Sequence, residues 1–201
     1  MAGDLKQFNS LAVVNCELTS RCNKRCFMCG RRRIEKDYPH LANWGDMDFK
    51  LVEKIAKQLP DGIVVQLHNN GESLLYPKFG EAAKLFHQQI RCLDTNGKLI
   101  VEKAKEIIGN LDTLTISVIE NDPEAEEQYK LVKKFLKIKG NRKPNLIYRC
   151  LGKVNLERWK KNARYCGYQS AASSSWQFSV SEKTNNSGNR NMFRYVKPYG
   201  Y

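Results

Sequence analysis

Three cysteines in one short segment carry the clearest chemical signal in this sequence. Cys22, Cys26 and Cys29 follow the spacing C-x3-C-x2-C. Structural zinc normally takes four protein ligands in a closed tetrahedron, and cubane iron–sulfur clusters are usually held by four cysteines. A loop that supplies three thiolates therefore indicates an iron–sulfur cluster with one iron left open. An open iron is a place where chemistry can occur.

A closed zinc site is the alternative interpretation of this loop. Cys16 could supply a fourth thiolate, but it lies inside the β-rich run of residues 11–18, ahead of the other three cysteines. A thiol within a strand is poorly placed to close a metal site with a loop that follows it. The sequence therefore favours the cluster over zinc.

Basic residues surround the cysteine loop. The chain has a formal net charge of +13. A thiolate-ligated cluster is itself anionic, so the basic residues beside it fit a cluster-bound cofactor, an acidic peptide or nucleic acid. No aromatic-rich RNA-recognition motif accompanies them, which makes nucleic acid the less favoured partner. The residues in question are Arg21, Lys24, Arg25, Arg31, Arg32, Arg33 and Lys36.

Length and composition restrict the class of protein. The chain has 201 residues, of which 41% are hydrophobic, enough for one domain with a core. No run approaches the ~18 apolar residues of a membrane span, and the first residues lack the apolar centre of a signal peptide. We therefore expect a cytoplasmic protein without membrane contact, whose seven cysteines are thiols or metal ligands rather than a disulfide framework.

Short apolar runs alternate with helical patterns along most of the chain. This alternation predicts an α/β fold with a parallel sheet and crossover helices. A complete eight-unit barrel takes ~250 residues, so about five units predict an open partial (β/α) barrel. The predicted strands are 11–18, 63–68, 90–93, 113–119 and 146–150, and the predicted helices 48–59, 77–88, 99–108, 123–138 and 156–163.

The pattern ends near residue 164. Residues 1–164 are predicted to form the core, and residues 165–201, with Ser and Asn clusters and no sustained apolar period, an irregular and poorly ordered tail. The outer edge of the fifth strand is then expected to lack a partner strand.

Polar residues follow the predicted strands. In parallel sheets the functional site lies at the carboxyl ends of the strands, so these side chains are candidates for the same site. His68 fits a structural residue at a strand end and a general base about equally well. The other candidates are Asn70, Gly71, Glu72, Asn96, Ser117 and Arg149.

The cysteine loop after a first strand, together with Asn70-Gly71-Glu72 after the second, resembles the radical S-adenosylmethionine (SAM) superfamily. Members of that family carry a Gly-Gly-Glu motif after the second strand. The resemblance covers about residues 11–161. It is closest to members with an additional cysteine-rich domain of the SPASM type, which is missing or scrambled here.

The resemblance implies a function. The three cysteines would hold a [4Fe–4S] cluster whose open iron binds SAM, and an electron from a reductant such as a flavodoxin or ferredoxin would cleave SAM to a 5′-deoxyadenosyl radical. That radical would take hydrogen from an unknown substrate, a peptide or a small molecule. No catalytic residue is assigned. The implied cofactor contacts are Met28, in place of the usual aromatic residue beside the adenine, Asn70, Gly71, Glu72, Asn96, Ser117 and Arg149.

Two other classes of function stay open at this point. One is a non-catalytic metal- or nucleic-acid-binding module that uses the basic loop. The other is an inactive, truncated remnant of a radical SAM enzyme.

Overall fold

The computed structural model describes residues 10–160 and the backbone of residues 165–169 and 177–180. Five strands lie side by side in chain order, all parallel to one another. The predicted α/β class and open partial (β/α) barrel are confirmed. The strands are β1 (Val13–Asn15), β2 (Val64–Gln66), β3 (Ile90–Thr95), β4 (Thr113–Val118) and β5 (Asn145–Leu151).

Helices connect the consecutive strands, as the alternation predicts. Two lie between β1 and β2, one in each of the later crossovers, and one after β5. They are α1 (Gly30–Asp37), α2 (Phe49–Ala56), α3 (Phe79–Leu85), α4 (Ala104–Ile107), α5 (Ala125–Lys139) and α6 (Leu156–Lys160).

The helix α1 was not predicted, because it has no apolar period. Ion pairs one helical turn apart stabilise it instead: Arg32 lies 2.5 Å from Glu35, and Arg33 3.2 Å from Asp37. Such pairs at i,i+3 and i,i+4 are the signal that could have revealed it. The helix begins directly after Cys29, so it fixes the direction in which the cysteine loop ends.

The sheet has one apolar and one polar face. Alternate side chains such as Leu67, Leu93 and Ile116 are fully buried and belong to a core that includes Val132 and Phe135 of α5. Several side chains of the intervening positions, such as Gln66, Asp94 and Arg149, are half-buried. This alternation, a consequence of the two-residue repeat of a strand, keeps the polar groups on the face away from the core.

The outer edge of β5 is paired, so the expectation of an open edge is wrong. β6 (Tyr165–Gln169) lies parallel to β5, and β7 (Gln177–Val180) lies antiparallel to β6. The backbone N–H and C=O groups of a strand edge favour such a partner. Other residues of the predicted tail lie outside the described residues, and the division at residue 164 stays a prediction.

Among the helices of the described ranges, none combines the length and the apolar character that crossing a membrane requires. The longest of them, α5, has 15 residues.

Trp159 of α6 anchors the last described helix to the core. Its side chain is 1% exposed and packs edge-on against Tyr129 and Tyr148, with ring centroids 5.2 Å apart in each pair. Its indole Nε1 donates a hydrogen bond of 2.9 Å to Glu120 Oε1, in the loop after β4. Trp159 therefore belongs to the core.

We expect Trp159→Ala to lower the free energy of unfolding by ~3–5 kcal/mol, since it opens a cavity and removes the indole donor to Glu120 Oε1. Leu51→Ala is the control, because Leu51 is 46% exposed and its truncation should change stability by less than ~0.5 kcal/mol. Urea unfolding measures both. Equal effects of the two substitutions would contradict the anchoring role of Trp159.

Candidate functional site

The cysteine loop lies at the carboxyl end of β1 and leads into α1. Its three thiols are half-buried. Burial raises the pKa of Cys26, and the nearby Lys24 ammonium lowers it. Cys22 and Cys29 also raise the pKa of Cys26, so the three thiols are close enough to interact electrostatically. Within the described residues, however, no three Cys, His, Asp or Glu side chains are already assembled as a metal site. Cluster binding therefore stays a prediction.

The side chains in and around the loop are of the chemical types that iron–sulfur clusters require. The loop supplies three thiols, the ligand type that such clusters require. The Asn96 side-chain amide points an N–H at Cys22 Sγ, 3.9 Å from Nδ2. Hydrogen-bond donors to ligating sulfurs are a usual feature of cluster sites. Drawing the three sulfurs onto one cluster would require the loop to tighten.

Cys16 does not complete a four-thiol zinc site with this loop. It is 3% exposed and belongs to the core. Burial raises its pKa to about 11, so the thiolate that a metal ligand must supply is harder to form there. Its backbone N–H is bonded to Gln66 O at 2.8 Å, which fixes it in line with the sheet.

The loop after β2 packs directly on the backbone that enters the cysteine loop. A Cβ on Gly71 would lie 1.9 Å from Thr19 O and 2.9 Å from Arg21 O, so no side chain fits there. The Glu72 N–H donates to Arg21 O at 2.8 Å, just before Cys22. This close approach at Gly71 is made to the chain's own backbone, and the implied contact of Gly71 with the cofactor stays a prediction.

Glu17 reinforces this contact from the end of β1. Its Oε1 accepts hydrogen bonds from the backbone N–H groups of Asn70, at 2.7 Å, and Gly71, at 3.1 Å. Glu17 was not among the residues predicted from the sequence. One signal in the sequence could have indicated it. Glu17 is an acidic residue that follows a strand, and backbone N–H groups of neighbouring loops need acceptors.

Glu72 is buried, with 2% of its surface exposed. Its carboxylate accepts hydrogen bonds from Thr95 Oγ1 (2.9 Å), Asn96 N (2.8 Å) and Leu74 N (3.3 Å). Burial raises the pKa of Glu72, and these three donors oppose that shift. The side chain thus connects the loop after β2 to the loop after β3, while its implied contact with the cofactor stays a prediction.

Asn96 connects the loop after β3 to the cysteine loop. Its Nδ2 donates to Asn23 Oδ1 at 2.8 Å, in addition to the contact with Cys22 Sγ. Its backbone C=O accepts a 2.6 Å hydrogen bond from Gln128 Nε2, which also donates to Ser117 O at 2.8 Å. Gln128, a buried polar residue of α5 that sequence reasoning missed, therefore links the ends of β3 and β4.

His68, Asp94 and Arg149 come together on the polar face of the sheet. The Asp94 N–H donates to His68 Nδ1 at 3.1 Å, so the proton of the neutral imidazole is on Nε2, which lies 3.5 Å from Asp94 Oδ2. Arg149, opposite Ser117 in the register, forms an ion pair with the same carboxylate. Burial lowers the pKa of His68, the Asp94 charge raises it and the Arg149 charge lowers it.

Most basic side chains near the cysteines have acidic partners within the chain. Arg21 lies 2.7 Å from Asp46. The Lys24 ammonium is buried, 3.3 Å from Asp122 and 3.7 Å from Glu124. Carboxylates of the same chain thus compensate part of the positive charge of these residues, and their contact with an anionic partner stays a prediction. Met28 is 43% exposed at the surface of the loop, where a ligand could reach it.

The chain was compared with known proteins. No family model matches it. Over 171 residues it is 27% identical to the tungsten-containing aldehyde ferredoxin oxidoreductase cofactor-modifying protein of Pyrococcus furiosus, covering 74% of this chain and 46% of the relative. The chain thus spans less than half the length of this curated relative.

Two solved structures match the chain. The crystal structure of BtrN in complex with AdoMet and 2-DOIA matches with a TM-score of 0.50 and 15% identity, covering 69% of this chain and 56% of BtrN. Archaeal TYW1 matches with a TM-score of 0.43 and 20% identity, covering 70% of this chain and 52% of TYW1. The likeness to BtrN concerns the fold alone and agrees with the open partial barrel.

We expect Gly71→Ala to displace the backbone of residues 19–21, because a methyl group cannot fit against Thr19 O. The free energy of unfolding should fall by ~1–3 kcal/mol, and the amides of residues 19–29 should exchange hydrogen faster. Gly45→Ala is the control, since nothing lies within 4 Å of a Cβ at that position. Unchanged exchange in Gly71→Ala would show that the contact is dispensable.

We expect His68 to titrate below its ordinary pKa of 6.5, with Nδ1 as a hydrogen-bond acceptor. Between 6.5 and the lower folded pKa the unfolded chain binds more protons, so stability should decrease as the pH falls through this window. His68→Gln should lose this part of the pH dependence. Imidazole NMR and urea unfolding from pH 7.5 to 5 measure it. A pKa above 6.5 would contradict the proposed burial of a neutral imidazole.

Proposed function

We propose that this chain is the core of a radical SAM enzyme. In this proposal Cys22, Cys26 and Cys29 hold a [4Fe–4S] cluster, and SAM is reductively cleaved to methionine and a 5′-deoxyadenosyl radical. The observation that carries the proposal is the convergence of three separate sequence features at one edge of the sheet. The cysteine loop, the Asn70-Gly71-Glu72 loop and Asn96 contact one another directly.

The comparisons support the proposal in part. BtrN, which shares the partial-barrel fold, was crystallised in complex with AdoMet. The curated relative is named a cofactor-modifying protein, although this chain covers less than half of it. The resemblance to members with a SPASM-type domain has no support in these comparisons and stays a prediction.

The residues of the chain have distinct roles in this proposal. When bound, the cluster supplies the electron that breaks a C–S bond of the SAM sulfonium, and an external reductant replaces that electron. In this proposal Met28 packs on the adenine, Ser117 contacts the ribose or the carboxylate, and Arg149 is a further candidate contact for SAM. The loop of Asn70 and Gly71 would contact the amino acid end of SAM through its backbone C=O groups, because the N–H groups of both residues already donate to Glu17.

The polar face of the sheet is the natural place for the substrate. His68 follows β2, and Asp94 and Arg149 lie in the carboxyl-terminal halves of β3 and β5. A neutral His68 could donate a hydrogen bond from Nε2, since its Nδ1 already accepts one from the Asp94 N–H. We place the enzyme in the cytoplasm, where thiols stay reduced.

A module that binds nucleic acid through the basic loop is less favoured by the structure. Arg21, Lys24 and Arg33 are engaged with carboxylates of the same chain, at 2.7 Å, 3.3 Å and 3.2 Å respectively. Such pairing reduces the charge available to phosphates. An inactive remnant would bind a cluster without cleaving SAM. Measuring both cluster loading and SAM cleavage distinguishes it from an active enzyme.

Anaerobic reconstitution of the full chain should give about four irons per chain and a cubane EPR signal after reduction. Cys22→Ser, Cys26→Ser and Cys29→Ser should each lose most of this iron. Cys92→Ala is the matched control, since Cys92 is a half-buried thiol within β3 whose pKa burial raises. With SAM and dithionite the loaded protein should release 5′-deoxyadenosine.

Two outcomes would contradict the proposal in different ways. Stoichiometric zinc with no iron uptake would overturn the cluster and favour a structural metal site. A fully loaded cluster that produces no 5′-deoxyadenosine would overturn the enzymatic function and leave a metal-binding remnant.

A further inference from the structure

The side-chain amide of Asn96 has a defined orientation. Its Oδ1 accepts a hydrogen bond from the Lys98 N–H at 3.0 Å. An amide oxygen can accept from a backbone N–H, whereas an NH₂ group cannot, so this contact assigns the two ends of the amide. The Nδ2 end therefore faces the cysteine loop, where its two N–H groups meet Asn23 Oδ1 at 2.8 Å and Cys22 Sγ at 3.9 Å.

Buried groups hold Asn96 from behind. Its N–H is bonded to the Glu72 carboxylate at 2.8 Å and its C=O to Gln128 Nε2 at 2.6 Å. Both partners are 2% exposed. The residue is thus fixed by backbone contacts on one side while its side chain reaches the thiol on the other. A donor fixed in this way does not have to be ordered when charge on the sulfur increases.

We propose that Asn96 is a positioning residue that donates a hydrogen bond to the Cys22 sulfur and raises the reduction potential of the cluster bound there. This inference rests on the proposed function. One-electron reduction adds one negative charge, which is shared by the cluster and its thiolate ligands. A fixed N–H donor stabilises that charge more in the reduced than in the oxidised form, so it favours reduction.

The substitution Asn96→Asp tests this role. It keeps the Oδ1 acceptor for the Lys98 N–H but removes both amide N–H donors and adds a charge. Asn23→Asp is matched in charge: it adds a carboxylate to the same loop but retains the acceptor for Asn96 and leaves the donor on Cys22 in place. Potentiometric EPR titration of the reconstituted proteins measures the potential directly, independently of turnover.

We expect the reduced-to-oxidised ratio of Asn96→Asp, at a fixed solution potential, to be about tenfold lower than that of Asn23→Asp. For one electron this is a potential lower by about 59 mV. Asn96→Ser, which is neutral and too short to reach Cys22, should also have a lower potential than the wild type. Equal potentials in Asn96→Asp and Asn23→Asp would overturn the inference.

The failure of this inference can be told apart from failure of the proposed function. A wild-type chain that takes up no cluster overturns both. A loaded wild type whose potential equals that of Asn96→Ser overturns the role of Asn96 alone. If Asn96→Ser takes up no iron while Asn23→Asp loads normally, Asn96 builds the loop rather than setting its potential, and the inference is again wrong.

Discussion

The site depends on the contact between Gly71 and the carbonyl of Thr19. A hydrogen atom fits between these two backbones and a carbon atom does not. Because of this contact, the loop after β2 lies against the last residues before Cys22, and the Glu72 N–H can reach Arg21 O. Glu17 stabilises the same arrangement from the end of β1. The position of the cysteine loop is therefore determined by close packing more than by the loop's own residues.

A buried carboxylate extends this arrangement to the third strand. Burying Glu72 is unfavourable for an ionised group unless donors compensate for the lost water. Thr95, Asn96 and Leu74 supply those donors. Since two of the three belong to the end of β3, the compensation works only while β2 and β3 stay in register. Gln128 makes the next connection, from Asn96 to Ser117 at the end of β4.

Local patterns predicted the sheet and the edge at which the site lies. Apolar runs located β2 to β5, and the rule that sites lie at carboxyl strand ends selected Glu72 and Asn96. Glu17 and Gln128 could not be found in this way, because their partners lie 53 and 32 residues away in the chain. Such pairings depend on the register and packing of the folded sheet, which a local pattern does not contain. The helix α1 was missed for a related reason, since ion pairs and not apolar spacing stabilise it.

The electrostatic environment of the cysteines differs from what the net charge alone indicates. Lys24 is buried between Asp122 and Glu124, so its ammonium is largely compensated where it lies. Opposite charges at such distances cancel most of each other's field a few ångströms away. Short-range groups then have the larger influence on charge at the sulfurs, and hydrogen bonds are the most direct of these. Among the described side chains, that of Asn96 reaches the sulfur of Cys22. Buried Glu72 and Gln128 hold the backbone of Asn96 in place, so its hydrogen bond acts specifically on the charge at Cys22.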